Sequence, residues 1–473
     1  MPEKLRRINS EAKPHRPVKV LQFGEGNFLR AFADWIIDIL NEKTDFNGSV
    51  NIIQPLPHGM SEVLNNQDGL YHVILHGIDA GEIRKETRLV TCVNKAINPY
   101  ESFSDFLAQG ENPDLRIVIS NTTEAGIAFS EADRLPDKLS TTFPGKLTSL
   151  LFHRFKFFRG AADKGLVFFP CELIEKNGLM LRQCVLQYCE HWKLPADFTT
   201  WITEHNTFCN TLVDRIVPGY PADKIDEIQR ELGYEDKLVV TAEVFHLWVI
   251  EGPASLSEIF PVRNTDLKVK FVNDLTPYRT RKVRILNGAH TAMVPFAYLR
   301  GLRTVREAVE DSVTRKFIDQ VILKEIIPTL DLPYEELTSF AASVMERFEN
   351  PFIRHELSSI ALNSISKFKV RVLPSLLEFR DRKGILPTGL VKSLACLILF
   401  YCKDWGTEKS PLNDVQEIME FFSNESKSPG GPAMVRQILS NVSWWGIDLT
   451  KVPGLNDNVQ HELKAMLQEE SVG

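Results

Sequence analysis

Metal-ligand spacing, membrane-length hydrophobicity and basic charge are all missing from this chain, and each absence closes off a class of function. Its seven cysteines (Cys92, Cys171, Cys184, Cys189, Cys209, Cys396 and Cys402) form no C-x-x-C and no Cys/His set with zinc-ligand spacing. That argues against a zinc alcohol dehydrogenase. An odd, scattered set suits buried thiols in a reducing cytoplasm, with Cys209 expected to be core filler. No apolar run approaches the ~18 residues that span a bilayer. The nearest, LACLILFYC at 394–402, reads as a buried helix. The opening stretch, MPEKLRRINSEAKPHRP, has no apolar segment of the secretory kind. A formal net charge of −7 gives no global attraction for nucleic acid. Neither an internal repeat nor a low-complexity tract is present. What remains is a chain of 473 residues, 43% hydrophobic and 25% charged. Such a chain is expected to be soluble and globular, and to divide into two domains.

The first informative segment is VKVLQFGEGNFLRAFADWIIDILNEK. A strand from Val18 to Phe23 runs into Gly24-Glu25-Gly26, and a helix follows. Phe28, Leu29, Phe32, Trp35, Ile36, Ile39 and Leu40 keep the rhythm of a core-facing helical stripe. Strand, glycine turn and helix is how a Rossmann unit offers backbone N–H groups to a pyrophosphate. Gln22, Phe23, Gly24, Glu25, Gly26, Asn27, Phe28 and Leu29 are therefore candidate cofactor residues. The third glycine of G-x-G-x-x-G is absent, because Leu29 stands there, so a plain strand-to-helix turn competes with this interpretation. SVNIIQP (49–55), LRIVISNTTEAGI (115–127), which ends in polar residues and a glycine, and GLVFFPCELI (165–174) read as further strands, and KLVVTAEVFHLWVI (237–250) begins as one. Open α/β sheets bind ligands beyond the carboxyl ends of their strands, which is where Asn121, Thr122 and Thr123 fall. From about residue 276 helical periodicity takes over, interrupted by Pro295, Pro328, Pro333, Pro351 and Pro374, with SKSPGGP (426–432) as an exposed loop. The expected organisation is a doubly wound α/β domain over 1–275 and a mostly helical domain over 276–473.

The sharpest chemical signal is K-x4-N-x2-H: Lys282, Asn287 and His290 in RKVRILNGAH. An α-helix turns about 100° per residue, so the three positions fall within an arc of roughly 140°. Thr276 as N-cap and Pro277 in the first turn mark the start of that helix. Such a face is usually just solvated. Here Val283, Ile285, Leu286, Ala289 and the following TAMVPFAYL make the helix apolar on most sides, and burial makes unpaired polar groups expensive. An amine, an amide and an imidazole facing one cavity can transfer protons and hold an oxyanion without a metal.

Taken together, FGEGNFLRAF (23–32), QDGLY (67–71), SNTTEAGI (120–127), PCELI (170–174), NTLVDRIVPGY (210–220), RKVRILNGAHTA (281–292) and RFENPFIRHELSSIALNSISKFKVRVLP (347–374) make the chain resemble the polyol-specific long-chain dehydrogenases, the mannitol dehydrogenase family. Its uronate branch is the nearer likeness. The resemblance implies NAD-dependent, metal-free reduction of D-tagaturonate to D-altronate, a step of hexuronate breakdown. Fructuronate or a neutral ketose is the alternative substrate, and a non-catalytic dinucleotide sensor the alternative from another class. It also implies that Lys282 is the general acid/base, that Asn287 and Asn210 stabilise the developing alkoxide, and that His290 orients the carbonyl. A surface lysine holds its proton too tightly for easy transfer near neutral pH; burial and nearby cations loosen it, and Arg281 and Arg284 are the candidate neighbours. Mannitol-specific relatives carry an acid a turn before the lysine, where this chain has Arg279, which leans toward an anionic substrate. Lys367, Arg371 and Arg354 are the cations expected to hold its carboxylate, while Lys369 would point elsewhere on the helix. NAD itself comes from the resemblance: after the second strand the chain reads Gln54-Pro55-Leu56-Pro57-His58, with neither the acid nor the arginine that would choose a dinucleotide. Glu243 and Glu251 are further polar residues that could face the substrate, although structural roles are favoured.

Overall fold

The computed structural model describes residues 3–10, 16–122, 126–403, 411–425 and 431–472. Thr123 and residues 426–430 of the expected exposed loop lie outside them. The chain divides into two compact units, one of Met1–His76 with Ile83–Leu275, the other of Gly77–Glu82 with Thr276–Gly473.

The first unit is built on a six-stranded sheet. Its strands, in spatial order, are Val93–Ile97, Ser49–Ile53, Val18–Phe23, Ile117–Ser120, Val167–Pro170 and Thr207–Phe208. Every pairing is parallel, and the sequence order is 3-2-1-4-5-6, that of a Rossmann fold. A parallel sheet is covered on both faces, so its inner strands are continuously apolar rather than alternating. Ser49–Ile53, Ile117–Ser120 and Val167–Pro170 are accordingly buried at every position. That unbroken burial is why these three were readable. Val93–Ile97, carrying Asn94 and Lys95, was not.

The helix after the glycine turn runs from Asn27 to Lys43 with a π turn at Arg30–Asp34. Its expected stripe is buried except for the partly buried Phe28, but so are Ala31, Ala33 and Ile37. The extra cover comes from two three-stranded sheets. One comprises Asn210–Asp214, Leu247–Glu251 and Val269–Val272; the other Val240–Glu243, Tyr71–Asp79 and Glu82–Val90. Phe32 meets Trp248 with ring centroids 5.3 Å apart. Glu82–Val90 left no sequence signal because EIRKETRLV is an exposed, charged edge, the kind that resists pairing with other chains.

The second unit is mostly helical. Thr276–Arg281, a π turn over Lys282–Asn287, and Gly288–Leu299 follow one another without a break. Pro295 lies inside that run. It removes one backbone donor yet does not end the helix, contrary to the interruption its presence suggests in the sequence. Helix Thr388–Cys402, the apolar run noted above, is buried over nearly its whole length and packs on Gly288–Leu299 and on Leu455–Val472. All seven cysteines are buried and free. Burial pushes the Cys209 thiol up to about 12, as expected of core filler.

Candidate active site

In the first unit the glycine turn forms a backbone cradle. Gly24 has φ +116°, and a Cβ there would stand 2.8 Å from the Asn121 carbonyl oxygen, so only glycine lets the turn approach the fourth strand. Gly26 caps the helix with extended backbone and no side-chain hydrogen bond. A Cβ added to Gly26 would meet nothing within 4 Å. Open space therefore faces the first N–H groups of the helix, which have no intrahelical acceptor. That donor set and that space fit a dinucleotide pyrophosphate.

The other cradle residues divide by role. Phe23 and Leu29 lie in the core and Gln22 is fully buried, so what they offer a ligand is main chain. Gln22 Nε2 donates to the Gly24 carbonyl and to Asp34. Asn27 Oδ1 accepts from Arg30, whose Nε also holds the Glu25 carbonyl. Phe28 stacks on Phe32 at 5.0 Å. Asn121 Nδ2 donates to the Cys171 carbonyl. The Thr122 N–H and hydroxyl both donate to Glu172 Oε1, at 3.1 and 3.0 Å. Glu172, unmarked in the sequence, thus pins the loop beyond the fourth strand and takes the donors Thr122 would offer a cofactor.

An acid does reach the end of the second strand, from the glycine turn rather than from the strand itself. Glu25 Oε1 accepts from the Met60 N–H at 3.3 Å. A Cβ on Gly59 would collide with both Glu25 Oε1 and the Gln54 side chain. Burial raises the Glu25 pKa above the usual carboxylate range, and its Oε2 has no hydrogen-bond partner. Linear sequence cannot show this, because Glu25 and Gln54 meet only through the parallel register of the first two strands.

Asn210 opens a strand of the first unit with its amide engaged. Nδ2 donates to Glu251 Oε1 at 2.8 Å and Oδ1 accepts from the Leu179 N–H at 3.1 Å. Glu251 therefore orients Asn210, and its other oxygen accepts from the Leu275 N–H. Glu243 is buried and accepts from the Ile216 N–H.

In the second unit Lys282, Asn287 and His290 are each partly buried. Lys282 and Asn287 are the first and last residues of the π turn. π hydrogen bonds run i→i+5, so Asn287 sits one π turn beyond Lys282. The regular α-helix expected from sequence would have splayed the pair to opposite edges of the arc. Arg281 and Arg284, the expected neighbours, face elsewhere: Arg281 pairs with Glu336 at 2.8 Å and Arg284 reaches Ser375 at 3.4 Å.

His290 stacks on Phe348 with centroids 4.1 Å apart and meets His355 edge-to-face at 5.3 Å. Its Nε2 is shut off from solvent without a hydrogen bond. Burial, followed by His355, Arg347, Arg371 and Lys367, holds its pKa well below the ordinary imidazole range, so the ring is neutral near pH 7. Lys367 and Arg371 lie on helix Ser364–Arg371, which packs on Gly288–Leu299. Arg354 does not join them; it is exposed and paired with Glu356.

Two family models match successive parts of the chain. Residues 18–260 match the Mannitol dehydrogenase Rossmann domain model, and residues 274–467 the Mannitol dehydrogenase C-terminal domain. The chain is 49% identical over 457 residues to an altronate oxidoreductase of Yersinia pestis, covering 95% of both chains. It is 46% identical over 470 residues to one of Phocaeicola vulgatus, covering 98% of both. Among solved structures, a substrate-free D-sorbitol dehydrogenase superposes with TM-score 0.80 at 22% identity, covering 98% of both chains. Pseudomonas fluorescens mannitol 2-dehydrogenase, in ternary complex with NAD and D-mannitol, gives 0.65 at 20% identity, covering 98% of this chain and 97% of that one. Two matched domain models and near-full-length relatives place this chain in the mannitol dehydrogenase family.

Proposed function

We propose that the chain is an NAD-dependent oxidoreductase interconverting D-tagaturonate and D-altronate, with the first unit as dinucleotide-binding domain and the second as catalytic domain. The observation that carries the substrate is 46–49% identity to altronate oxidoreductases over nearly the whole chain. The open N-terminus at Gly26 is where the pyrophosphate would sit, with backbone N–H groups of Gly26, Asn27 and Phe28 as donors. Bound NADH supplies the hydride. Lys282 gives its proton to the carbonyl oxygen as negative charge builds there, and takes it back in the oxidative direction. Asn287, one π turn away, donates a hydrogen bond to that oxygen. Neutral His290 contributes one donor and one acceptor, which fixes the carbonyl's orientation. Asn210 keeps a second amide N–H beyond the one given to Glu251, a donor suited to a developing alkoxide. Lys367 and Arg371 hold the substrate carboxylate. No step requires a metal ion. Seven buried thiols agree with a reducing, cytoplasmic setting.

The test is loss of NADH absorbance with tagaturonate, fructuronate and fructose offered in parallel. Preference for tagaturonate is expected. Preference for either of the others moves the substrate, and NADH binding without turnover of any of them removes the enzymatic assignment.

A further inference from the structure

Two imidazoles and two cations in the second unit are assembled without the partners such groups normally have. The His290 and His355 rings meet at 5.3 Å and 80°, yet among the described residues neither ring has a hydrogen-bonded nitrogen. Phe348 closes one face of His290 at 4.1 Å, so that ring cannot turn away to find one. Arg371, half-buried, approaches only the Thr291 hydroxyl, at 3.5 Å, one residue along from His290. Lys367 donates to the Ile360 carbonyl at 2.8 Å. Among the described residues neither cation has an ion pair, whereas Arg281, Arg315 and Arg354 in the same unit each hold a carboxylate. Asp414 bears on Lys367 but is occupied by the Tyr401 hydroxyl. Lys367 and Arg371 are only partly buried, but each holds a charge at reduced contact with water and without a counter-ion, which carries part of the cost of burying an ion. The cost is met when an anion arrives.

We propose that His355 belongs with Lys367 and Arg371 to one anion pocket beside His290, which receives the carboxylate of the open-chain sugar acid, and that His355 is a specificity-determining residue of it. The proposal rests on the function proposed above. Burial lowers the His355 pKa, so at neutral pH the ring acts as an N–H donor to the carboxylate and not as a further charge.

The experiment compares wild type, His355→Ala and His355→Gln for steady-state reduction of tagaturonate, NADH binding by fluorescence, and calorimetric binding of altronate to the NAD⁺ complex. His355→Ala should raise KM for tagaturonate and weaken altronate about tenfold or more, as for loss of a hydrogen bond to a charged group. NADH affinity should stay unchanged, and His355→Gln, which keeps an N–H donor, should recover much of the loss. A KM and an altronate affinity within twofold of wild type in His355→Ala would overturn the proposal. If His355→Ala melts early, Arg371→Gln interrogates the pocket from the neighbouring helix with the same two outcomes. The failures separate: wild type that binds altronate but does not reduce tagaturonate sinks the function and leaves the pocket, and wild type that does neither sinks both.

Discussion

Lys282 carries the largest single expectation at the residue scale. Lys282→Ala should cut turnover by about 10²–10⁴, the usual worth of a general acid, with NADH affinity near wild type by fluorescence titration. An active variant would remove it as proton donor. Glu25 is next, since it brings to the end of the second strand the carboxylate that Gln54 does not supply. A carboxylate there favours ribose hydroxyls and repels a 2′-phosphate, so Glu25→Gln should narrow the preference for NADH over NADPH in direct binding. Asp34 gives a pH signature. Burial raises its pKa to about 7, against the pull of hydrogen bonds from Tyr71 and Gln22 and of the Arg30 charge. The folded protein then holds a proton that the unfolded chain releases near 3.8. The associated stability is complete at acid pH and is lost as pH rises to about 7. Melting temperatures measured at intervals between pH 4 and pH 8 should show that loss in wild type and not in Asp34→Asn. Lys282, Asn287 and His290 were grouped as candidates by the sequence because one helix carries all three. His355 and Glu25 were not, since their neighbours come from distant segments that only folding brings together.

Elements sort the two glycines of the turn into different roles. Gly24 has a left-handed backbone and a carbonyl 2.8 Å from where its Cβ would stand, whereas Gly26 has φ −66° and open space. Gly24→Ala should therefore lower the melting temperature. Gly26→Ala should melt within a few degrees of wild type but bind NADH about tenfold or more weakly, because its methyl fills the cradle. Equal effects on melting would contradict the division. A pattern of apolar spacing revealed the helices and the continuously buried strands. It could not reveal that Asn27–Lys43 is covered on its outer side as well, because that depends on sheets formed by residues 71–90 and 210–272. Nor could it separate an α turn from a π turn, which differ by one backbone hydrogen-bond step and not in which residues are apolar.

For the whole molecule, the thiols and the charge give the clearest tests. Every cysteine is buried, with Cys189 pushed up to about 11 and Cys209 to about 12. A thiol-specific reagent should label none rapidly in the native protein and all seven in denaturant; fast labelling without denaturant would contradict the packing. A chelator should leave turnover intact, and activity lost to EDTA and restored by zinc would end the metal-free proposal. Composition alone indicated a chain too large for one core, and the change from strand to helical periodicity near residue 276 is where the sequence suggested dividing it. The assignment of Gly77–Glu82 to the helical unit had no counterpart in composition, because a short hairpin turn carries no periodicity of its own.

The π turn at Lys282–Asn287 has a consequence for comparing this chain with its relatives. A π turn accommodates one residue more than an α-helix of the same hydrogen-bonded path, so deleting a single codon would convert it to a regular α turn. A relative that lost it would keep every flanking helical residue in place while the interval between lysine and asparagine shortened by one. Its lysine and asparagine would then stand at i and i+4 of a regular α-helix, still on one side of it, although pairwise identity would hardly change. The lysine–asparagine interval and the type of turn are therefore tied to one another: four intervening residues need a π turn, and three an α turn, to keep both side chains on one side of the helix.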